Sequence, residues 1–492
     1  MDQLSAQDAQ FLYMESRDNH IHVTAVAVFD PSTVPSGEIV RFKDILDHIE
    51  RRLHMSPLFR RRLVRVPLEL DFPYWVNDEH FDLEHHVQHS RLPKPGDWRQ
   101  FCIQMSRFHA RPLDFSRPLW EMLVIEGLDH IDAFPAGCYA IATKLHHAAV
   151  DGASILNFYR ALVDVDNTGT PAVPLDSVRE KISPRPSILD IATRAAWNTM
   201  RSPIGMTDAV MRSAPALYNW AQQALSTQKE ESTPVPDTRF NCKASPHKMF
   251  DAATFKLDHL KAIRKAVPNS TINDVVLCVC AGALRKYLQH HRELPEESLV
   301  AWVPINARAT QLEGTENPGN RITSMTTRIF TDIEDPVQRL RTIHESTGRS
   351  KAARSGVSAR LMTDLSQHVP AATLVTAGRL VLRAGMAANI CNLFISNVPG
   401  PQVPVYMNGA LQLATYGIAP LADGMGLFIA TPSYNGNISF NVTSTRETMP
   451  DIEYFIECIE ASLAELRKAT TPKKPRRAKK KTKKTTKKKS LQ

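Results

Sequence analysis

Residues 20–30, HIHVTAVAVFD, alternate apolar and polar positions and are rich in Val, the pattern of a half-buried strand. Residues 39–55 carry helical spacing. Residues 138–146, CYAIATKLH, predict a second strand that leads directly into a helix over Gly152 to Leu162. The same alternation of strand and helix returns after residue 250. There FDAATFKLDHLKAIRKA runs from a strand into an amphipathic helix, INDVVLCVCAGALRKYLQHH is a long helix, and SLVAWVPIN is a strand. Strands and helices interleaved over this length predict an α/β (α+β) protein of mixed sheets packed with helices. No repeat of solenoid length is present.

The texture changes in the middle of the chain. Prolines fall at 171, 174, 184, 186, 203, 215, 234 and 236, around two helical stretches, SILDIATRAAWNTM and PALYNWAQQALS. Their Trp197 and Trp220 are expected to be buried, which argues for a packed crossover and against a flexible linker. The expected organisation is an N-terminal half over 1–165, a helical crossover over 166–245, a C-terminal half over 246–468 and a tail over 469–492. The most apolar long window, Ala371 to Cys391, is interrupted by Arg379 and Arg383, so no membrane-spanning helix is expected.

Charge sharpens the picture of the tail. The 492 residues hold 60 Lys and Arg against 51 Asp and Glu, a net of +9. Ten Lys and two Arg of this excess lie between Lys473 and Lys489, with no acid among them. Without them the body is slightly acidic, so only the tail points to a polyanionic partner. With Leu491 as its one apolar residue larger than Ala, the tail cannot bury enough surface to order itself. The seven cysteines are scattered and contain no C-x-x-C, and the first residues, MDQLSAQDAQFLYMES, lack a basic and then apolar leader. A reducing, cytoplasmic setting follows, with neither a disulfide framework nor a zinc ribbon.

Walker A, G-x-S-x-G and H-E-x-x-H signatures are absent, and GMGLFI at 424–429 lacks the third glycine of a dinucleotide fingerprint. His85, His86 and His89 have metal-like spacing but no marked partner, and read as a solvated helix or loop. His290 and His291 suit the C-terminal end of a helix. His146 and His147 stand apart. A strand runs into them, and three small apolar residues, Asp151 and Gly152 follow. Alternation sends the two imidazoles to opposite faces if the strand continues, so one of them can face a reaction centre. A neutral imidazole at a strand end suits general-base work on a hydroxyl. The plainer reading is a satisfied core histidine followed by an N-capping Asp151, and the local pattern does not decide between the two.

HHAAVDG resembles the H-H-x-x-x-D-G motif of the CoA-dependent acyltransferase superfamily. Other segments resemble, in order, the bacterial wax ester synthase/diacylglycerol acyltransferase family. These are LSAQDAQFL at 4–12, FRRRL at 59–63, RPLWE at 117–121, TINDVVLCVCAGALR at 271–285, ISNVPGP at 395–401 and SYNGNISF at 433–440. The resemblance runs from about residue 4 to about residue 466. It departs where the family commonly reads P-V-S-L-R: here PINAR places Asn306 at the Ser position.

The resemblance implies two chloramphenicol-acetyltransferase-like halves with the active site at their interface. It implies transfer of a long-chain acyl group from acyl-CoA to a fatty alcohol or diacylglycerol, with His147 taking the hydroxyl proton. His146 and Gly152 belong to the same motif. Asp151 is expected to brace the turn in a pair with Arg308. Asn273 is a candidate oxyanion donor or, alternatively, the N-cap of its helix. Pro118, Trp120, Asp274 and Asn397 are expected to shape and position the site. Acyl-CoA is a co-substrate, and no metal or other cofactor is expected. Peripheral association with an anionic membrane or lipid inclusion is expected through residues 473–489. Nucleic acid is the other polyanion that tail fits. A condensation-type acyltransferase and a non-catalytic scaffold with a nucleic-acid-binding tail are the competing readings.

Overall fold

The computed structural model describes residues 2–37, 39–67, 71–149, 154–168, 190, 193–194, 197, 235–306, 322–354 and 390–471. Most of the helical crossover, the motif residues Asp151 and Gly152, Arg308, Trp220 and the Lys-rich tail lie outside the described residues. Trp197, expected to be buried, is 54% exposed.

Two six-stranded mixed sheets form the core of the molecule. The first is built mainly from β2 (His22–Asp30), β5 (Val87–Arg91), β6 (Trp120–Glu126) and β7 (Tyr139–His146). The second contains β8 (Lys248–Lys256), β9 (Val300–Asn306), β10 (Ile322–Arg328), β11 (Leu393–Pro399), β14 (Leu427–Tyr434) and β15 (Asn437–Thr445). Two strands from late in the chain, β12 (Tyr406–Met407) and β13 (Ala410–Ile418), cross over and complete the first sheet. Its order is β12-β13-β2-β7-β6-β5, and that of the second is β10-β9-β11-β14-β15-β8. A small sheet joins β1 (Asp2–Gln3), β3 (Arg61–Val64) and β4 (Tyr74–Asn77) in the order β1-β4-β3.

The crossover strand ties the halves together. Ser439 Oγ of β15 donates to Thr415 O of β13 at 3.0 Å, and Tyr434 OH of β14 donates to Gln412 O at 2.9 Å. The hairpin between β14 and β15 turns at Asn435 and Gly436, both at positive φ, as a tight Asn-Gly turn requires.

Helices cover both faces of the first sheet. On one face, α2 (Phe42–Glu50) and α5 (Ser154–Leu162) pack against Tyr139, Ile141 and Leu145 of β7 and the ring of Trp120. On the other, α4 (Trp98–Ala110) buries Phe101, Met105 and Phe108 against Val26, Val28, Ala140 and Ala142. α4 also meets the second half, where Trp98 Nε1 donates to Asp251 Oδ1 of β8 at 2.8 Å. In the second half α6 (Leu257–Arg264), α7 (Ile272–His290), α8 (Pro336–Arg354) and α9 (Ile452–Thr470) enclose one apolar core. Of the N-terminal elements, α1 (Ala6–Tyr13) starts at Ser5, whose Oγ accepts Asp8 N–H at 3.0 Å. The short α3 (Leu83–His86) precedes β5.

The polar look of DLEHHVQH is misleading. His86 is buried, its ring stacks on Trp120 at 4.5 Å, and its Nδ1 is 2.7 Å from Trp120 O. That histidine is core, although the segment reads as solvated. Among the described residues no helix is long and apolar enough to cross a membrane.

Candidate active site

All eight residues of β7 are buried, and the strand ends on His146. Even-numbered residues of β7 point toward α4 and the second half. His146 is therefore fully buried on the inner face, opposite His22 of β2 in register. A single 3₁₀ turn, His147–Ala149, follows. It is pinned at three places. His146 N–H donates to Leu119 O at 3.0 Å, His147 N–H to Ile21 O at 2.9 Å, and Ala148 N–H to His146 Nδ1 at 3.0 Å.

His147 keeps partial solvent access while its ring packs on Phe11 of α1, with centroids 4.0 Å apart. Its Nδ1 is buried with no hydrogen-bond partner among the described residues. Burial, helped by neighbouring His146 and opposed by its own backbone carbonyl, lowers the imidazole to about 4. At neutral pH the free base is then the dominant form. The ring can accept a proton, but as a weak base, so alignment of a reacting hydroxyl must supply much of any rate.

Around this turn lies a polar seam that the sequence pattern did not reveal. Glu15, in the loop after α1, places Oε1 3.4 Å from His20 Nδ1 and 3.6 Å from His146 Nε2, and accepts Ile21 N–H at 3.2 Å. Burial alone would raise its carboxyl; the two histidines outweigh this and hold it at about 2. Lys144, fully buried in β7, pairs with Glu121 at 3.0 Å and donates to the carbonyls of Phe108 and Arg111 at 3.2 and 3.0 Å. It thereby caps the C-terminal end of α4, where a cation complements the exposed carbonyls. Burial lowers its pKa, with Glu121 opposing. On the same inner face Thr24 Oγ1 meets His109 Nδ1 at 2.9 Å, and the His22 ring reaches the His109 carbonyl. Burial drives His109 down to about 3 and also lowers His22. The available signal for this seam was Lys144 and His146 at inward positions of β7, whose other inward residues are Ala140 and Ala142.

The second half contributes the start of α7. Its N-cap is Thr271, whose Oγ1 accepts Asp274 N–H at 3.2 Å while Asp274 Oδ2 accepts Thr271 N–H at 2.8 Å. The alternative of Asn273 as N-cap is thereby removed. Asn273 sits one residue inside the helix, half-buried, and its amide makes no hydrogen bond among the described residues. Asp274 is fully buried and also accepts from His344 Nδ1 at 3.0 Å and Thr347 Oγ1 at 2.8 Å.

Pro118 and Trp120 are buried, and Trp120 Nε1 donates to Phe59 O at 3.0 Å. Asn397 lies half-buried in β11, in register with Thr431 of β14. Just beyond it, a Cβ on Gly400 would lie 2.3 Å from Ser433 O, so that position excludes any side chain. Asn306 ends β9 opposite Ile322, with its side chain outside the described residues. Among the described residues no group of His, Cys, Asp and Glu could hold a metal ion.

Residues 4–276 match the wax ester synthase/diacylglycerol acyltransferase catalytic domain, and residues 318–467 match the C-terminal domain of the same proteins. The chain belongs to the wax ester synthase/diacylglycerol acyltransferase family. A putative diacylglycerol O-acyltransferase of Mycobacterium tuberculosis is 33% identical over 470 residues, covering 95% of this chain and 99% of the relative. The O-acyltransferase WSD of Acinetobacter baylyi is 30% identical over 465 residues, covering 93% and 95% of the two chains. Among solved structures, the wax ester synthase/diacylglycerol acyltransferase from Marinobacter aquaeolei VT8 matches with a TM-score of 0.66 at 26% identity, over 95% of this chain and 99% of that one. The first condensation domain of the CDA synthetase matches over 95% of both chains with a TM-score of 0.52 at 13% identity, a likeness of fold alone. Membership makes acyl transfer the chemistry of this chain.

Proposed function

We propose that the protein transfers a long-chain acyl group from acyl-CoA to the hydroxyl of a fatty alcohol or diacylglycerol, with His147 as general base. The observation that carries this reading is the state of His147. Its imidazole, with its pKa lowered by burial, sits just past the end of a fully buried strand, in a turn fixed by two backbone–backbone hydrogen bonds and by the bond from Ala148 N–H to His146 Nδ1. The imidazole takes the proton as the alcohol oxygen attacks the thioester carbonyl. A tetrahedral oxyanion forms, collapses with cleavage of the C–S bond, and the imidazolium returns its proton to the departing thiolate. No net proton leaves the site. Asn273, with its uncommitted amide in the first turn of α7, is the candidate donor to that oxyanion, and the positive end of the helix adds to it.

Residues 473–489, with twelve cations and no acid, are expected to hold the enzyme at an anionic lipid surface where both apolar substrates partition. Two assays test the proposal. Purified full-length protein is incubated with palmitoyl-CoA and either hexadecanol or a diacylglycerol, and CoA release is followed. Acceptor-dependent release with either supports it, and none with either refutes it. Binding of the full chain and of a chain ending at residue 470 to anionic vesicles and to DNA then decides the partner of the tail.

A further inference from the structure

We propose that Glu15 is a positioning residue for acyl transfer: it holds His146 as the Nε2–H tautomer and so fixes the turn that presents His147. This rests on the reading of His147 as the base. The tautomer follows from donors and acceptors. Ala148 N–H donates to His146 Nδ1 at 3.0 Å, so Nδ1 is an acceptor and carries no proton. The neutral ring then carries its proton on Nε2. That atom is buried and has no hydrogen-bond partner among the described residues, yet it stands 3.6 Å from Glu15 Oε1. A movement of a few tenths of an ångström completes a charge-assisted bond.

The carboxylate reaches His147 from its other side as well. Oε1 accepts Ile21 N–H at 3.2 Å, and the carbonyl of the same Ile21 accepts His147 N–H at 2.9 Å. The helix preceding Glu15 supplies Phe11, whose ring lies on His147. Glu15 thus bears on the base through Ile21, through His146 and Ala148, and through the helix it follows. Without the anion His146 is free to move its proton to Nδ1. Two donors, His146 Nδ1–H and Ala148 N–H, would then face each other, and the 3₁₀ turn beginning at His147 would open. Glu15 touches neither substrate nor reacting atom; it acts on geometry, where a displacement of about 1 Å costs about 10²-fold in rate.

A carboxylate that only stabilises the fold would lower the melting temperature without separating kcat from KM. The test uses the full-length protein. Long-range ¹H–¹⁵N spectra of histidine-labelled wild type, with the His146 signal assigned by His146→Gln, are expected to show protonated Nε2 and unprotonated Nδ1 at neutral pH. Glu15→Gln is expected to lower kcat by about 10²-fold with KM for acyl-CoA changed less than about twofold. Adding it to His146→Gln is expected to cost less than the product of the two single losses, because one of the routes from Glu15 to His147 runs through the His146 ring. Protonated Nδ1 in the wild type, normal kcat in Glu15→Gln, or full additivity with His146→Gln would each overturn the inference. If Glu15→Gln does not fold, the wild-type tautomer decides. A fully active His147→Ala would sink the underlying reading instead, whereas an inactive His147→Ala beside a fully active Glu15→Gln sinks this inference alone.

Discussion

Replacing Asp274 by Ala removes the acceptor shared by three donors at the start of α7. Those donors are Thr271 N–H at 2.8 Å, His344 Nδ1 at 3.0 Å and Thr347 Oγ1 at 2.8 Å. Hydrogen bonds to a charged group contribute about 1.5–3 kcal/mol each, so a simple sum would exceed 4 kcal/mol. That sum overshoots. Thr347 Oγ1 also donates to His344 O at 3.1 Å, and the half-buried Thr271 and His344 can turn to water. A net loss of about 3 kcal/mol is expected for Asp274→Ala and about half of that for Asp274→Asn, which keeps one acceptor oxygen. The loss falls locally on the first turn of α7, beside Asn273. Amide exchange in a peptide spanning residues 271–290 should therefore accelerate about 10²-fold in the Ala variant, with the urea midpoint moving in the same direction. A change below about 0.5 kcal/mol with unchanged exchange would refute the view of Asp274 as the hub of this helix start. The pH dependence has a definite sign. Burial raises the Asp274 carboxyl, but its hydrogen bonds outweigh this and leave it lowered. Its contribution is therefore present above the ordinary carboxylate range and is lost as pH falls through the lowered value.

Two further outcomes follow from buried ionisable groups. His22, His48, His86, His109 and His147 all have lowered pKa values, with burial the leading cause in each. The unfolded chain therefore binds more protons below the ordinary histidine value of about 6.5, and stability should be full above that pH and fall as the pH drops toward about 4; a urea midpoint at pH 5 equal to that at pH 7.5 would contradict this. Lys144→Met keeps the apolar stem but strands Glu121 and the carbonyls of Phe108 and Arg111, and should cost about 3 kcal/mol in denaturant unfolding; a neutral or stabilising result would show that the ammonium is not needed to hold the end of α4.

The parts legible in the sequence are those set by local periodicity. The alternation in HIHVTAVAVFD and CYAIATKLH located two central strands of the first sheet to within a residue or two. The run from strand into His146-His147 marked the turn now seen at His147–Ala149. What stayed hidden depends on distant partners. Glu15 has no local pattern, because His146 reaches it from a strand distant in sequence. His86 reads as polar surface until Trp120 is folded over it. The crossing of Ala410–Ile418 into the first sheet is a matter of topology, which no short window encodes. At α7 the helix and its start at Ile272 were legible and its cap was not: Thr271 and Asp274 form the capping box, which leaves Asn273 uncommitted among the described residues.

The most direct test of the central claim is turnover by His147→Ala. CoA release from palmitoyl-CoA with hexadecanol or a diacylglycerol is measured at neutral pH, beside the wild type and with circular dichroism as the check on folding. The account predicts a folded variant whose kcat is lower by about 10²–10⁴-fold, the range that a positioned general base contributes. A folded variant that releases CoA at the wild-type rate would contradict it.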